Sequence, residues 1–405
     1  MTPGAVLDTR YSWLRLGITL LIATVGNVGM WAIVVVMPAV EAEFGVARAD
    51  ASLPYTVTML GFALGNLVLG RVVDRFGITV TLVGAGMLVA ASTAAAAASP
   101  SIAVLSALQF VIGFGTSAGF GPLIADISQW FERRRGIAVA IAASGNYLAG
   151  ALWPMLLRGV LAAEGWRTAY LVMAAATLLL VVPLAFLLRP RVPPEAMAGP
   201  GRLPGGAVAD AGMSPRALTW VLALAGVGCC VAMAMPQVHI VALCVDMGFG
   251  PAVGAEMLAL MLMGGVVSRL AFGLLADRLG GVGTVLIGSG LQCLALFLYL
   301  PANGLVSLYL VSLVFGLAQG GIVPGYAIIV REYLPAREAG ARVGFVMMAT
   351  ILGMALGGWM SGWIFDATGS YQLAFLNGIA WNFLNIAILI FLLMRGRRSR
   401  ALAPV

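Results

Sequence analysis

Along the chain, apolar runs of about 20 residues alternate with short breaks carrying Arg, Pro or Gly. Each run is long enough to cross roughly 30 Å of hydrocarbon as a helix. Twelve such spans are predicted. In the first half they cover residues 14–40, 51–72, 79–98, 102–128, 137–160 and 168–188. In the second they cover 217–241, 252–275, 282–301, 305–330, 342–364 and 371–394. Between the sixth and seventh spans, RPRVPPEAMAGPGRLPGGAVADAGMSPR reads as a linker, being rich in Pro, Gly and charge.

An internal repeat supports that division. GRVVDRFG (70–77) recurs as GLLADRLG (273–280), an offset of 203 residues, and each copy follows the second span of its half. Gly165-Trp166-Arg167 before Ala169-Tyr170 is echoed by Ser370-Tyr371 before Ala374-Phe375, at an offset of 205. Duplicated halves of this kind form the two bundles of many secondary transporters, with substrate held between them at mid-membrane. The expected fold is therefore an all-α integral membrane protein of twelve transmembrane helices in two pseudo-symmetric six-helix bundles. The bundles would be 1–190 and 216–405, joined by a cytoplasmic linker, 191–215.

Composition excludes a water-soluble protein: 61% of the 405 residues are hydrophobic and 10% charged, against about 25% charged in soluble domains. The 52 glycines and stretches such as Ala94–Ala98 suit helices that approach closely in lipid. The net charge of +7 would point to nucleic acid if it formed one patch, but its distribution is topogenic. All 23 basic residues are Arg. With both termini inside, 19 fall on the cytoplasmic side, three (Arg48, Arg158, Arg167) outside, and Arg269 alone within the membrane. This places a multi-pass protein in a cytoplasmic (inner) membrane and removes the case for nucleic acid. The four cysteines show no metal-ligand spacing and read as packing residues. No small-residue cleavage site follows the first apolar run where a signal peptide would need one, so that helix is expected to be retained.

At GRVVDRFG and GLLADRLG the chain resembles the major facilitator superfamily, whose hallmark loop reads GxxxDRxG. The resemblance implies a cytoplasmic gating motif made by Gly70, Asp74, Arg75 and Gly77 and, in the second copy, by Gly273, Asp277, Arg278 and Gly280. The usual basic residues beyond the motif are replaced by Ile78 and Thr79. Within the superfamily the chain looks most like the monocarboxylate and oxalate/formate transporter branch. WFERRRGIAVAIAASG (130–145) follows that branch's fifth-helix pattern, departing at Ala140 and Ser144.

Arg269 is the sharpest single signal. It lies eight residues before Asp277, so at 1.5 Å per residue it sits about 12 Å up the helix from the motif, near mid-membrane. A charge there is costly and marks a functional site. The resemblance implies that this Arg binds a substrate carboxylate, a task suited to its planar, permanently charged fork. The branch's Asp four residues earlier is Gly265 here, and its acidic first-helix motif is replaced by Gly26-Asn27-Val28-Gly29-Met30-Trp31. The chain has no Lys to pair with the Arg as oxalate carriers do, so one buried cation argues for one carboxylate on the substrate. Asn27, Asn146, Tyr147, Gln319 and Tyr326 lie on helices that line the cavity in this superfamily and are candidate substrate contacts. His239, the lone histidine, closes Pro236-Gln237-Val238-His239 and could relay a proton, with Glu256 within reach. Asn382 and Asn385 fall on the twelfth helix, expected to be peripheral.

Nothing resembles a nucleotide-binding loop, a metal site or a hydrolytic triad, so no enzyme activity, metal or cofactor is expected. The expected function is alternating-access transport of a small organic anion, with a monocarboxylate first, by a monomer embedded in lipid. The alternatives are a vitamin-like, aromatic or drug-like solute held in a Met-rich cavity, and a transport-derived sensor.

Overall fold

The structure, a computed structural model, describes residues 7–192, 213–334 and 336–402. The linker expected over 191–215 falls almost wholly outside them. Among the described residues all regular secondary structure is helical. Eleven helices are long and apolar enough to cross a membrane. One of these, Gly136–Leu187, has 52 residues, about 78 Å of helix, more than twice a bilayer core. Gly165 divides it by adopting φ 81°, so it crosses twice and the crossings number twelve. Observed helices outrun the expected spans: the second is Arg48–Phe76 and the seventh Pro215–Asp246. Their ends carry polar and charged residues that a hydropathy count trims away.

The repeat seen in the sequence recurs in the backbone. Glycines in the left-handed region pair across the halves as Gly77 (φ 88°) with Gly280 (φ 73°), and Gly165 (φ 81°) with Gly369 (φ 66°). These corners admit no side chain without strain. After each motif a threonine closes the turn, Thr81 Oγ1 donating to Gly77 O at 2.9 Å and Thr284 Oγ1 to Gly280 O at 2.8 Å.

Three spans are interrupted near their middles. The first breaks at Asn27 between Arg10–Gly26 and Val28–Phe44. The fourth breaks between Ile102–Thr116 and Gly121–Ser128, and the tenth between Leu305–Gln319 and Ile322–Tyr333. The latter two breaks are repeat-related, both at glycine-rich runs. In each half the interrupted span lies against its second helix with no room for side chains: a methyl on Gly113 would meet Thr58 O, and one on Gly316 would meet Met261 O. Small residues thus set these helix spacings. The halves meet along two seams, the second span on the eleventh and the fifth on the eighth.

Candidate functional site

Arg269 projects from the eighth span at the fifth–eighth seam and is 7% exposed. Its Nη1 donates to Ala143 O of the fifth span at 2.6 Å and its Nε to Gly320 O, at the tenth-span break, at 3.3 Å. Its guanidinium lies 4.3 Å from the centroid of the Tyr147 ring. The break matters here, because a helix interruption is what frees the Gly320 carbonyl for a side chain. Gly320 also sits so tightly on Gly265 O that a methyl could not be added. No carboxylate reaches Arg269 among the described residues. It is a buried cation held by two carbonyls and a ring face, without a counter-charge.

The other expected contacts divide into two groups. Tyr147, Asn146 and Gln319 lie on or beside the residues that Arg269 touches, Ala143, Tyr147 and Gly320. Trp31 Nε1 donates to Asn146 O at 2.9 Å and Oδ1 at 3.0 Å, which ties the first span to the fifth. Gln319, next to Gly320, accepts from Gln237 Nε2 at 2.5 Å, and its own Nε2 is buried without an acceptor. Asn27 stands at the first-span break, apart from Arg269's contacts, its Nδ2 donating to Ala23 O at 2.7 Å and Gly119 O at 3.0 Å. Tyr326 stands apart from this group: its hydroxyl donates to Asn385 Oδ1 at 2.6 Å, and Asn385 and Asn382 bind Ser289. Asn382 and Asn385 are fully buried, not peripheral as expected, because the twelfth span turns its amide pair onto the ninth and tenth. Two crevices of about 290 and 250 Å³ open among the first, third, fourth, fifth and sixth spans, and neither is lined by Arg269.

His239 and Glu256 are engaged separately. His239 Nε2 bonds Gly358 O at 2.7 Å, which leaves Nδ1 to accept from the Tyr371 hydroxyl at 3.0 Å. Glu256 accepts from Arg158 Nη1 at 2.8 Å and from the Tyr309 hydroxyl at 2.6 Å.

His239 belongs to a cluster that sequence reasoning did not single out. Arg48, expected as a loop charge, is 6% exposed. Its Nη1 and Nη2 hold Asp246 of the seventh span at 2.9 and 3.0 Å, and Nη1 also donates to Tyr371 at 2.6 Å. Glu41 lies 2.6 Å from Nε but off the N–H direction, an ion pair without a hydrogen bond. Asp366, from the eleventh span, accepts from the backbone N–H of Arg48 and Ala49 at 2.9 and 2.7 Å. One half thereby caps the helix N-terminus of the other, where a negative charge is favoured. The Tyr371 hydroxyl thus accepts from Arg48 and donates to His239, linking the two. The signal available in the sequence was the pairing of Arg48 with acids at three other helix ends, visible only once topology places those ends together.

At the opposite end the first motif copy is exposed. Asp74 and Arg75 are exposed and make no ion pair among the described residues, and the side chain of Asp277 lies outside them. Gly77 is fixed by Arg191, whose Nη2 donates to Phe76 O at 3.1 Å. Gly281, beside Gly280, donates its N–H to Glu332 at 2.9 Å. Among the described residues Arg278 makes no ion pair, and open space surrounds the Cβ positions of Gly70 and Gly273.

A sequence model described as the Major Facilitator Superfamily matches residues 19–306 and 245–404. Monocarboxylate transporter 13 of Bos taurus is 27% identical over 345 residues, covering 84% of this chain and 79% of that one. Monocarboxylate transporter 11 of Homo sapiens is 33% identical over 286 residues, 66% of this chain and 59% of that one. Among solved structures, a bacterial homolog of the human lysosomal transporter Spinster, inward-facing and occupied, superposes with TM-score 0.69 at 14% identity, over 96% of each chain. The nucleoside transporter NupG gives 0.69 at 16% identity, over 93% of this chain and 99% of that one. At such identities the structures bear on fold alone. With repeat, helix count and sequence match in agreement, this chain belongs to the Major Facilitator Superfamily and is a multi-pass membrane transporter.

Proposed function

We propose that the protein carries a small organic anion with one carboxylate, by alternating access of its two six-helix halves around Arg269. The observation that carries this reading is the buried Arg269 guanidinium with no counter-ion among the described residues. An ion left unpaired in a low-dielectric site is costly, and a functional charge there normally finds its partner in what passes through. A substrate carboxylate supplies the missing charge. The names of the relatives of Bos taurus and Homo sapiens agree with that class.

Arg269 spans the halves by way of Ala143 O. A carboxylate that takes Nη1 displaces this carbonyl, so binding loosens the seam it sits on. The empty carrier keeps the Arg269–Ala143 tie and moves slowly, whereas the loaded carrier moves freely, and this favours exchange of one anion for another over net flux. The arginine distribution favours an orientation with both termini in the cytoplasm. In that orientation the Arg48 end, tied across the halves by Arg48–Asp246 and Arg158–Glu256, is the extracellular one. Asp74, Arg75, Asp277 and Arg278 would then engage when the inner end closes. The monomer contains all these parts.

The test is uptake of labelled lactate into proteoliposomes. The reading expects uptake to rise strongly with unlabelled lactate loaded inside and to respond weakly to a pH gradient, with Arg269→Ala inactive at normal abundance. Equal uptake by Arg269→Ala would remove the anion site. Uptake driven by a pH gradient alone would replace exchange with proton coupling, and His239→Ala and Glu256→Gln would show whether either group carries it.

A further inference from the structure

Three irregular stretches of the first half meet at one crevice. The first span breaks after Gly26, the fourth passes through a 3₁₀ turn at Ser117–Gly119, and the sixth widens into a π-helix over Thr177–Val181. All three contribute to the wall of the crevice of about 250 Å³, and the third span closes it with Gly86 and Val89. Val181 of the π-helix reaches Gly26 and Gly86, and Val89 presses on Gly115. Where helices in a membrane are interrupted, neighbouring Ser and Thr side chains and ordered water take up the backbone groups set free.

Two hydroxyls on this wall have no hydrogen-bond partner among the described residues, Thr116 Oγ1 on the fourth span and Thr177 Oγ1 at the start of the π-helix. Both threonines are buried, at 2% and 1% exposed. A threonine within a helix can return its hydroxyl to the carbonyl one turn back, as Thr58 and Thr81 do in this chain. Thr116 and Thr177 do not, although an unpaired buried hydroxyl is unfavourable. The second half treats the corresponding place differently. Its seventh and twelfth spans run unbroken as Pro215–Asp246 and Gln372–Leu402, and at the tenth-span break the Phe272 ring packs on Gly321 and Gly288. An aromatic ring fills one half where the other presents hydroxyls.

We propose that this crevice is a binding site for ordered water, which bridges Thr116 Oγ1 and Thr177 Oγ1 and so ties the fourth span to the sixth. The space left between the small residues admits about one water. A buried water makes roughly two to four hydrogen bonds, and the two hydroxyls, each able to donate or accept, supply the first of them. A water exchanges partners without repacking side chains, so the broken first and fourth spans bend more easily than the ring-filled break of the second half. The site is independent of where substrate binds.

The test is a double-mutant cycle read from thermal melting of the purified protein in nanodiscs. Thr116→Val and Thr177→Val each take one partner from the water and leave the other hydroxyl under-bonded, so each should lower the melting midpoint by a few degrees. The double variant has no hydroxyl left to satisfy, and its midpoint should fall by clearly less than the sum of the two single shifts. Additive shifts, which two independent threonines would give, or no shift in either single variant, would overturn the proposal. A map of the wild type fine enough to resolve ordered water tests the site without any variant: a peak within hydrogen-bond distance of both hydroxyls is expected, and a dry gap between them would contradict the assignment.

Discussion

The two ends of this transporter use their charges in opposite ways. At the Arg48 end, residues from the first, second, seventh, eleventh and twelfth spans converge, and the two ion pairs that join the halves among the described residues, Arg48–Asp246 and Arg158–Glu256, lie there. At the motif end, the buried pair Arg15–Asp126 stays within one half, at 2.8 Å, and Asp74 and Arg75 face solvent. The end with the recognisable motif is idle in this conformer, while the end without one is tied shut. In a carrier that alternates, a motif and a latch take turns, and a single conformer displays one of them.

The largest break in this contrast should come from Arg48→Ala. Removing the guanidinium leaves Glu41, Asp246 and Asp366 together without a cation, which should cost the closed end about 3 kcal/mol. Spin labels at the exposed positions Ala42 and Thr368 should report a population with that end opened; an unchanged distance distribution would show that packing alone closes it. Asp366→Ala removes a cap shared between halves and should cost about 1–2 kcal/mol on the same readout. Arg158→Ala breaks a pair whose side chains are 63% and 36% exposed, so its effect should stay below about 1 kcal/mol. On the proposed gating role, Asp74→Asn should leave the thermal stability of this conformer unchanged yet slow transport. A loss of stability equal to that of Arg48→Ala would mean that the motif is structural.

Much of the scaffold was legible because it follows from bulk properties. Span length and the 203-residue repeat predict what is seen, down to paired corners at Gly77 and Gly280. The breaks at Asn27, Ser117–Phe120 and Gly320 were not, because apolar runs look continuous whether or not a helix is interrupted within them. Arg269 stood out since charge is rare in lipid. Its partners were hidden, as both are backbone carbonyls, which every residue possesses. Tyr326 and Gln319 look equivalent in sequence, seven residues apart on one span, but the break between them turns Tyr326 toward Asn385 and leaves Gln319 beside Gly320. Arg48 reads as a loop charge until the topology brings four other spans to it.

The account depends most on the uncompensated charge of Arg269, and equilibrium binding tests it without the complications of flux. Labelled lactate should bind the purified wild type saturably, and Arg269→Ala should weaken binding at least a hundredfold while melting within a few degrees of the wild type. Arg269→Lys, which keeps the charge but loses the planar fork, should retain part of it. Wild-type affinity in Arg269→Ala would contradict the central claim and require the anion to bind elsewhere.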